Sequence, residues 1–207
     1  MQPAQRPTAG RRDAIRNYQR ILSAAREVFG ESGADACMEE IAGRAGVGVG
    51  TVYRRFASKD ALIDELLHLA MDEVLDSTEQ ALARTDGRGL EELLRALGRS
   101  FADHARYANL LLQRRTDDGS ARRMRTAIDD LTARAAAAGT INPSVTAGDV
   151  MALIWAMRGL VQSAGEVAPD AWQRFLDFQL AGMRAAGPPS TAPAISARQL
   201  AKLAPRR

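Results

Sequence analysis

Residues able to do covalent or metal chemistry are few and scattered in this sequence. The two histidines, His68 and His104, are far apart, and neither has Cys or Asp neighbours at the spacing of a metal-ligand set. Cys37 is the only cysteine, which excludes an internal disulfide and a thiolate cluster. Ser100 and Ser163 fall inside helical patterns with no base partner indicated. The sequence therefore predicts no catalytic residue, no metal site and no cofactor.

A different chemistry is indicated by the stretch Cys37–Lys59, CMEEIAGRAGVGVGTVYRRFASK. Its glycines lack the Lys-Ser/Thr of a phosphate-binding loop and separate two short helical patterns instead. Ala42 lets the helices approach, Gly46 takes the turn and Val52 packs beneath the second helix, which is the steric pattern of a helix-turn-helix. The outward positions of that helix carry small, aromatic and cationic side chains, as reading DNA requires.

Composition and charge fit a helical protein with a polyanionic partner. The 207 residues are 46% apolar and 26% charged, and β-branched and aromatic runs are scarce, which favours an all-α fold. Residues 1–60 hold 10 Lys and Arg against 7 Asp and Glu, whereas residues 61–186 hold 14 against 18. The longest apolar run, Met151–Met157, is far short of the roughly 20 residues of a membrane span. With no apolar signal core at its N-terminus, the chain is expected to be cytoplasmic.

Helical periodicity divides the chain into four segments. We expect a flexible arm at 1–14, a three-helix DNA-binding domain at 15–60, an effector-binding and dimerisation domain at 61–186, and a disordered tail at 187–207. Ser58 is a good N-cap for a long fourth helix that reaches about residue 84. The remaining helices are predicted at about 15–31, 90–105, 107–114, 120–138, 146–164 and 171 onward.

Residues 16–67 resemble the DNA-binding domain of the TetR (tetracycline-repressor-like) transcriptional regulators. The matching positions are Ala24-Ala25, Phe29, Gly33, Ile41-Ala42, Ala45-Gly46-Val47, Gly50-Thr51-Val52-Tyr53-Arg54-Arg55-Phe56 and Ser58-Lys59-Asp60-Ala61-Leu62. The resemblance implies about nine helices, with effector-binding and dimerising helices behind the DNA-binding head. It implies no particular ligand.

The resemblance also assigns residues to DNA. Val49, Gly50 and Thr51 stand where the family's recognition helix faces base edges. Tyr53 stands where the family has a tyrosine that contacts a phosphate. The full set of expected DNA-contacting residues is Arg44, Gly48, Val49, Gly50, Thr51, Tyr53, Arg54, Arg55 and Lys59. Gly48 stands where the family commonly has Ser or Thr, so one hydroxyl that could contact the DNA backbone is absent. Cys37 replaces a more usual capping Thr, and no phosphate contact is expected from it.

Two further sets of residues concern the C-terminal helices. Candidate lining residues of an internal effector cavity are Phe101, His104, Tyr107, Met124, Ile128, Trp155 and Arg158. Apolar stripes on the last two helices exceed what one helix pair buries, which indicates a homodimer interface, with ordinary core as the alternative. The stripe residues are Val150, Ile154, Met157, Val161, Trp172, Phe175, Gln179 and Met183.

These observations predict a dimeric DNA-binding transcriptional regulator that is not an enzyme. Its expected partners are a palindromic double-stranded operator and a small-molecule effector that releases it, as for a repressor. Two alternatives remain open at this point. A helical-bundle enzyme or ligand carrier would have no DNA role, and an architectural DNA-binding protein would have no effector. The sequence names neither the effector nor the operator, and it does not separate repression from activation.

Overall fold

The computed structural model describes residues 9–108, 119–184, 190–196 and 198–199. All regular structure in these residues is helical, with eight α-helices, two short 3-10 helices and no strand, which confirms the predicted all-α class. Nine helices were expected. The helix predicted over 107–114 lies mostly outside the described residues, and its first position, Tyr107, ends the 3-10 helix Ala105–Tyr107.

The α-helices are α1 (Ala9–Ser32), α2 (Met38–Ala45), α3 (Val49–Arg55), α4 (Lys59–Ala83), α5 (Gly89–His104), α6 (Ser120–Ala137), α7 (Ala147–Ala164) and α8 (Ala171–Arg184). A second 3-10 helix, Gly33–Asp35, follows α1. None of the described helices combines the length and the apolar character needed to cross a bilayer.

The chain forms two compact units, which we call the first and the second unit. The first consists of Met1–Leu69 and Arg106–Arg115, and the second of Ala70–Ala105 and Thr116–Arg207. The boundary lies inside α4, between Leu69 and Ala70, rather than at the predicted position 60. A continuous helix therefore begins in the first unit and ends in the second.

The core of the first unit is built from the apolar positions of four helices. Ile21, Val28 and Phe29 of α1 are buried, and Ile41 of α2 and Leu62 of α4 are buried with them. Their helical spacing is why these segments fold as amphipathic helices. Because this core is shared by α1, α2, α3 and α4, it fixes the short helices α2 and α3, which are too short to be stable alone.

The core of the second unit lies between α5, α6, α7 and α8, and α5 contacts all three of the others. Gly98 of α5 is required by this packing. A Cβ added there would lie 2.2 Å from the Trp172 ring of α8, so only glycine lets the indole lie against the helix backbone. Thr146 and Asp149 form a reciprocal capping box that starts α7.

The two chain ends differ from the sequence expectation. Helix α1 already begins at Ala9, so residues 9–14 of the expected arm are helical. Residues 190–196 of the expected disordered tail have no regular structure, yet Ile195 lies against α7. A Cβ added to Gly148 would lie 2.2 Å from the Ile195 carbonyl oxygen. Part of the tail is thus packed on the second unit.

Candidate nucleic-acid interface

The turn between α2 and α3 has the geometry that the sequence predicts. Gly46 ends α2 in the left-handed region, with φ 62° and ψ 40°. The Gly46 and Val47 amides donate to the Gly43 and Ala42 carbonyls, both at 3.1 Å. A Cβ at Gly46 would lie 2.4 Å from Arg20 Nη2, the far end of a flexible side chain that can move aside, so the φ value rather than this contact requires glycine.

Helix α3 has one face buried in the core of the first unit and one face exposed to solvent. Val52 is completely buried, as expected for the residue beneath the helix. On the other side, the side chains of Val49 and Tyr53 are 40% and 45% exposed, and Gly48 and Gly50 are exposed beside them. Val49 and Tyr53 therefore offer side-chain surface on this face that a partner could contact.

Arg54 and Thr51 form a pair on the exposed side of α3. Arg54 Nη2 donates to Thr51 Oγ1 at 3.1 Å, one helical turn away. The bond fixes the guanidinium along the helix while leaving its other N–H groups free to donate. An exposed, oriented guanidinium of this kind suits a phosphate or a base edge.

Arg55 is turned away from this face towards α1. Its guanidinium carbon lies 4.7 Å from the centre of the Tyr18 ring and 5.8 Å from that of Phe56. The Tyr18 hydroxyl donates to the Glu65 carboxylate of α4. Burial raises the pKa of Tyr18, and the hydrogen bond to Glu65 raises it further, against the opposing effect of Arg55. Arg55 thus connects α3 to α1, and the phosphate contact expected of it stays a prediction.

Lys59 is also engaged within the protein. Its Nζ donates to the Ala34 carbonyl at 2.6 Å and to the Ala36 carbonyl at 3.2 Å, which ties the start of α4 to the turn after α1. Ser58 caps α4 as predicted, accepting from the Ala61 amide at 3.1 Å. Two of the three donors of the Lys59 ammonium are therefore satisfied without DNA.

Arg44 is held by two carboxylates of α1. It donates to Glu27 at 3.3 Å and to Glu31 at 2.8 Å. The hydrogen bond from Arg44 lowers the pKa of Glu31, and the bond to Glu31 raises the pKa of Arg44. Of the cations expected at DNA, Arg54 bonds within α3, whereas Arg44 joins α2 to α1, Arg55 joins α3 to α1 and Lys59 joins α4 to the turn after α1.

The residues expected to line an effector cavity are distributed over both units. Tyr107 is buried in the core of the first unit, whereas the other six belong to the second. His104 is buried with Nδ1 2.6 Å from the Ser100 carbonyl oxygen, and Ile128 is core. Burial lowers the pKa of Arg158, a half-buried residue that has no ion-pair partner among the described residues. Phe101 and Met124 pack at the margin of the second core, and Trp155 is 37% exposed.

Most residues expected at a dimer interface lie in the second unit's own core. Five of them are buried there: Val150, Ile154, Met157, Val161 and Trp172. Their side chains already contact the same subunit and leave little surface for a partner. Phe175 and Met183 are half-buried and Gln179 is exposed. The exposed aromatic residues of these helices are Trp155 and Phe178, and Phe178, at 63% exposure, was missed in the sequence.

The described residues contain no group of three or more His, Cys, Asp or Glu side chains placed to hold a metal ion. The described residues form a helix-turn-helix whose second helix, α3, has one exposed face. This motif belongs to the first unit, which has its own apolar core. This combination defines a helix-turn-helix transcriptional regulator.

Comparison with known proteins gives the family. Residues 21–66 match the model of bacterial regulatory proteins of the tetR family, and residues 88–185 match the C-terminal domain of SbtR-like transcriptional regulators. The chain therefore belongs to the TetR family of transcriptional regulators. Its members are DNA-binding regulators and not enzymes.

Individual relatives agree with this assignment. The regulator UidR of Escherichia coli K12 is 42% identical over 66 residues, which is 31% of this chain and only 30% of UidR. The TetR regulator SCO0520 of Streptomyces coelicolor is 28% identical over 82% of this chain and 99% of that chain, with a TM-score of 0.60. A TetR regulator of Mycobacterium vanbaalenii is 29% identical over 84% of this chain and 99% of that chain, with a TM-score of 0.56.

Proposed function

We propose that this protein is a homodimeric repressor that binds a palindromic operator through α3 and leaves it when a small molecule binds the second unit. The observation that carries this proposal is the bare face of α3. Val49, Gly50, Tyr53 and Arg54 are exposed together on a helix whose opposite side is buried. A dimer would place two such helices in successive major grooves, about 34–36 Å apart.

Each residue of that face has a proposed partner. Val49 and the Thr51 methyl group contact thymine methyl groups, since both are small and apolar at their tips. Tyr53 and Arg54 donate to phosphates at the groove margin and set the register of the helix. Because Gly48 and Gly50 add no side chain, the backbone approaches the bases closely and DNA shape supplies part of the specificity.

The proposed dimer interface uses the outer faces of α7 and α8 instead of their buried stripes. Trp155 and Phe178 offer exposed aromatic surface, and exposed Gln179 lies next to Phe178 in sequence. Aromatic residues are enriched in the cores of protein interfaces because they bury large area at small entropic cost.

Control by a ligand is proposed to act through α4. This helix starts at Lys59, beside the helix-turn-helix, and ends at Ala83 in the second unit. An effector that binds one arrangement of the second unit more tightly would shift the population of α4 positions. Its effect on DNA affinity is limited to the difference in its affinity for the two states.

Selection of bound sequences from random DNA, followed by fluorescence anisotropy on the selected site, tests the proposal. We expect a two-fold symmetric consensus and an affinity that falls steeply with salt. A reporter gene behind that site then separates repression from activation. The absence of salt-dependent DNA binding would favour a helical ligand carrier with no DNA role, and binding without a consensus would favour an architectural protein.

A further inference from the structure

The second unit contains a cleft with a volume of about 540 Å³, and none of its lining residues is among those assigned above to DNA, effector or dimer. It lies where the turn between α4 and α5 meets the turn between α6 and α7, beside the last turn of α8. This volume is within the range of about 300–1,000 Å³ that is typical of small-molecule sites.

The walls of the cleft are fixed by hydrogen bonds between the elements. Thr140 Oγ1 lies 2.9 Å from the Gly87 carbonyl oxygen and 3.0 Å from that of Ala135, so it joins the two turns. Nearby, the Asn142 amide donates to the Met183 carbonyl at 2.7 Å and holds the end of α8. A cleft built in this way exists before any ligand arrives, which lowers the entropic cost of binding.

One side of the cleft is apolar. Leu90 of α5, Ile141 after α6 and Leu180 of α8 line it, and all three are buried. They close the floor of the cleft and present only a small apolar surface to a ligand, so the hydrocarbon part of a ligand contributes less to binding than its charge.

The other side carries three charges. Glu91 pairs with Arg184 and, at 3.0 Å, with Arg95, which does not line the cleft. Burial alone would raise the pKa of Glu91, but the hydrogen bond from Arg95 and the charge of Arg184 outweigh it, so the net effect lowers the pKa. The Glu91 carboxylate is thus already paired with Arg184 and Arg95, and it does not neutralise the charge of Arg88.

Arg88 is the available cation of the cleft. Its backbone amide donates to Asp86 at 3.1 Å, but no carboxylate of the described residues pairs with its side chain. With Arg88 and Arg184 against Glu91, the lining has a net charge of +1. A guanidinium presents a planar fork of donors that fits a carboxylate.

We infer that this cleft binds a small organic monoanion, with a carboxylate on Arg88 and a hydrocarbon body against Leu90, Ile141 and Leu180. The inference does not depend on the proposed repressor function, because it concerns binding to the free protein. Neutral molecules of the same shape bind more weakly, since they leave Arg88 without a counter-charge.

Isothermal titration calorimetry on the full chain, with benzoate and benzamide as matched probes, tests the inference. The same titrations are run with hexanoate and hexanamide. We expect each carboxylate to bind one site per chain with a dissociation constant of about 1 mM or lower, and each amide about tenfold more weakly. Arg88→Gln should reduce carboxylate affinity about tenfold, to the level of the amide.

Arg99→Gln is the matched control, because Arg99 is an exposed arginine of α5, the helix that Arg88 precedes, and does not line the cleft. It should leave both affinities unchanged. Thermal unfolding of each variant confirms that the fold is retained. Equal binding of acid and amide, equal losses in the two variants, or no heat of binding up to about 10 mM of either acid overturns the inference.

Discussion

The guanidinium of Arg55 lies over the Tyr18 ring, 4.7 Å from the ring centre, and the Tyr18 hydroxyl donates to Glu65. Three helices therefore meet at one tyrosine: α3 through Arg55, α1 through Tyr18 itself and α4 through Glu65. This contact holds α3 against α1 and α4 inside the first unit. A cation that the family resemblance assigns to DNA thus also positions α3, the helix proposed to read DNA.

Replacing Tyr18 with Leu should weaken DNA binding without removing any group that touches DNA. Loss of the cation–π contact costs about 0.5–1 kcal/mol of folding stability at a partly exposed site. It also frees α3 to move, so we expect operator affinity to fall by more than the stability does. Urea unfolding and fluorescence anisotropy measure the two effects.

Tyr18→Phe is the control for that experiment, since it keeps the ring under Arg55 and removes only the bond to Glu65. It should retain most of the operator affinity. An equal loss in the Phe and Leu variants would contradict the role given to the ring.

Lys59→Met should reduce stability more than it reduces the salt dependence of DNA binding. The ammonium makes two bonds to the Ala34 and Ala36 carbonyls, and hydrogen bonds to charged groups contribute about 1.5–3 kcal/mol. Arg54→Met should change stability little. It should instead lower the slope of the logarithm of the DNA-binding constant against the logarithm of salt concentration by about one for each subunit. If the Lys59 variant lowered the slope equally, Lys59 would be a phosphate contact.

The regular part of the fold follows from local sequence. Helical spacing located Ile21, Val28 and Phe29 in a core, and Gly46 was identified as the turn because a left-handed residue was needed there. Ser58 was a sound prediction for the same reason, since an N-cap depends on residues only three positions away.

The roles of the long cations do not follow from local sequence. Arg44 bonds Glu27 and Glu31, and Lys59 bonds carbonyls at 34 and 36, more than 20 positions earlier. Such partners are set by tertiary packing, and a flexible side chain offers no periodicity that would reveal them. The resemblance to a family locates these residues beside the DNA without showing which donors are already used.

The apolar stripes on α7 and α8 show a second limit of prediction from the sequence. Their spacing identified correctly that one face of each helix is buried, but not what covers it. Met157 and Trp172 are covered by the same subunit. Phe178, three positions after Phe175, lies outside that stripe and is the more exposed of the two. Splitting the apolar positions of α8 into two faces would have found it.

Phe178→Lys should weaken self-association if the outer faces of α7 and α8 form the dimer interface. The ring is 63% exposed in the single subunit, so its loss should change subunit stability little. A buried aromatic at an interface contributes about 2 kcal/mol, which corresponds to about a thirtyfold weaker dimer. Sedimentation velocity over a range of concentrations measures the change. Val167→Lys, an apolar residue that is 92% exposed between α7 and α8, is the control and should have no effect.

The ion pair between Arg84 and Asp86 should contribute to the free energy of unfolding at neutral pH but not in acid. The hydrogen bond from Arg84 lowers the pKa of Asp86 from 3.8 to about 2. Because the folded state holds the carboxylate ionised, the pair stabilises at neutral pH and its contribution is lost as pH falls from about 4 towards 2. Asp86→Asn should therefore lower the melting temperature at pH 6, and by less at pH 3. In an Arg84→Met background the difference should shrink at pH 6 to the part contributed by the hydrogen bond from the Arg88 amide to Asp86.

Gly50→Ala should make the protein more stable and a poorer DNA binder. A Cβ at Gly50 meets no protein atom within 4 Å, so nothing in the folded chain requires glycine there. Alanine in a helix is favoured over glycine by about 0.5–1 kcal/mol, and the melting temperature should rise accordingly. On the proposed face, however, the added methyl group points at the bases, and we expect about a tenfold loss of operator affinity from steric contact. Gly43→Ala on α2 is matched, because it is also exposed, helical and free of contacts. The Gly43→Ala variant should be more stable and keep its operator affinity. An equal loss of affinity in both variants would mean that stiffening of the first unit, and not contact of residue 50 with the bases, weakens binding.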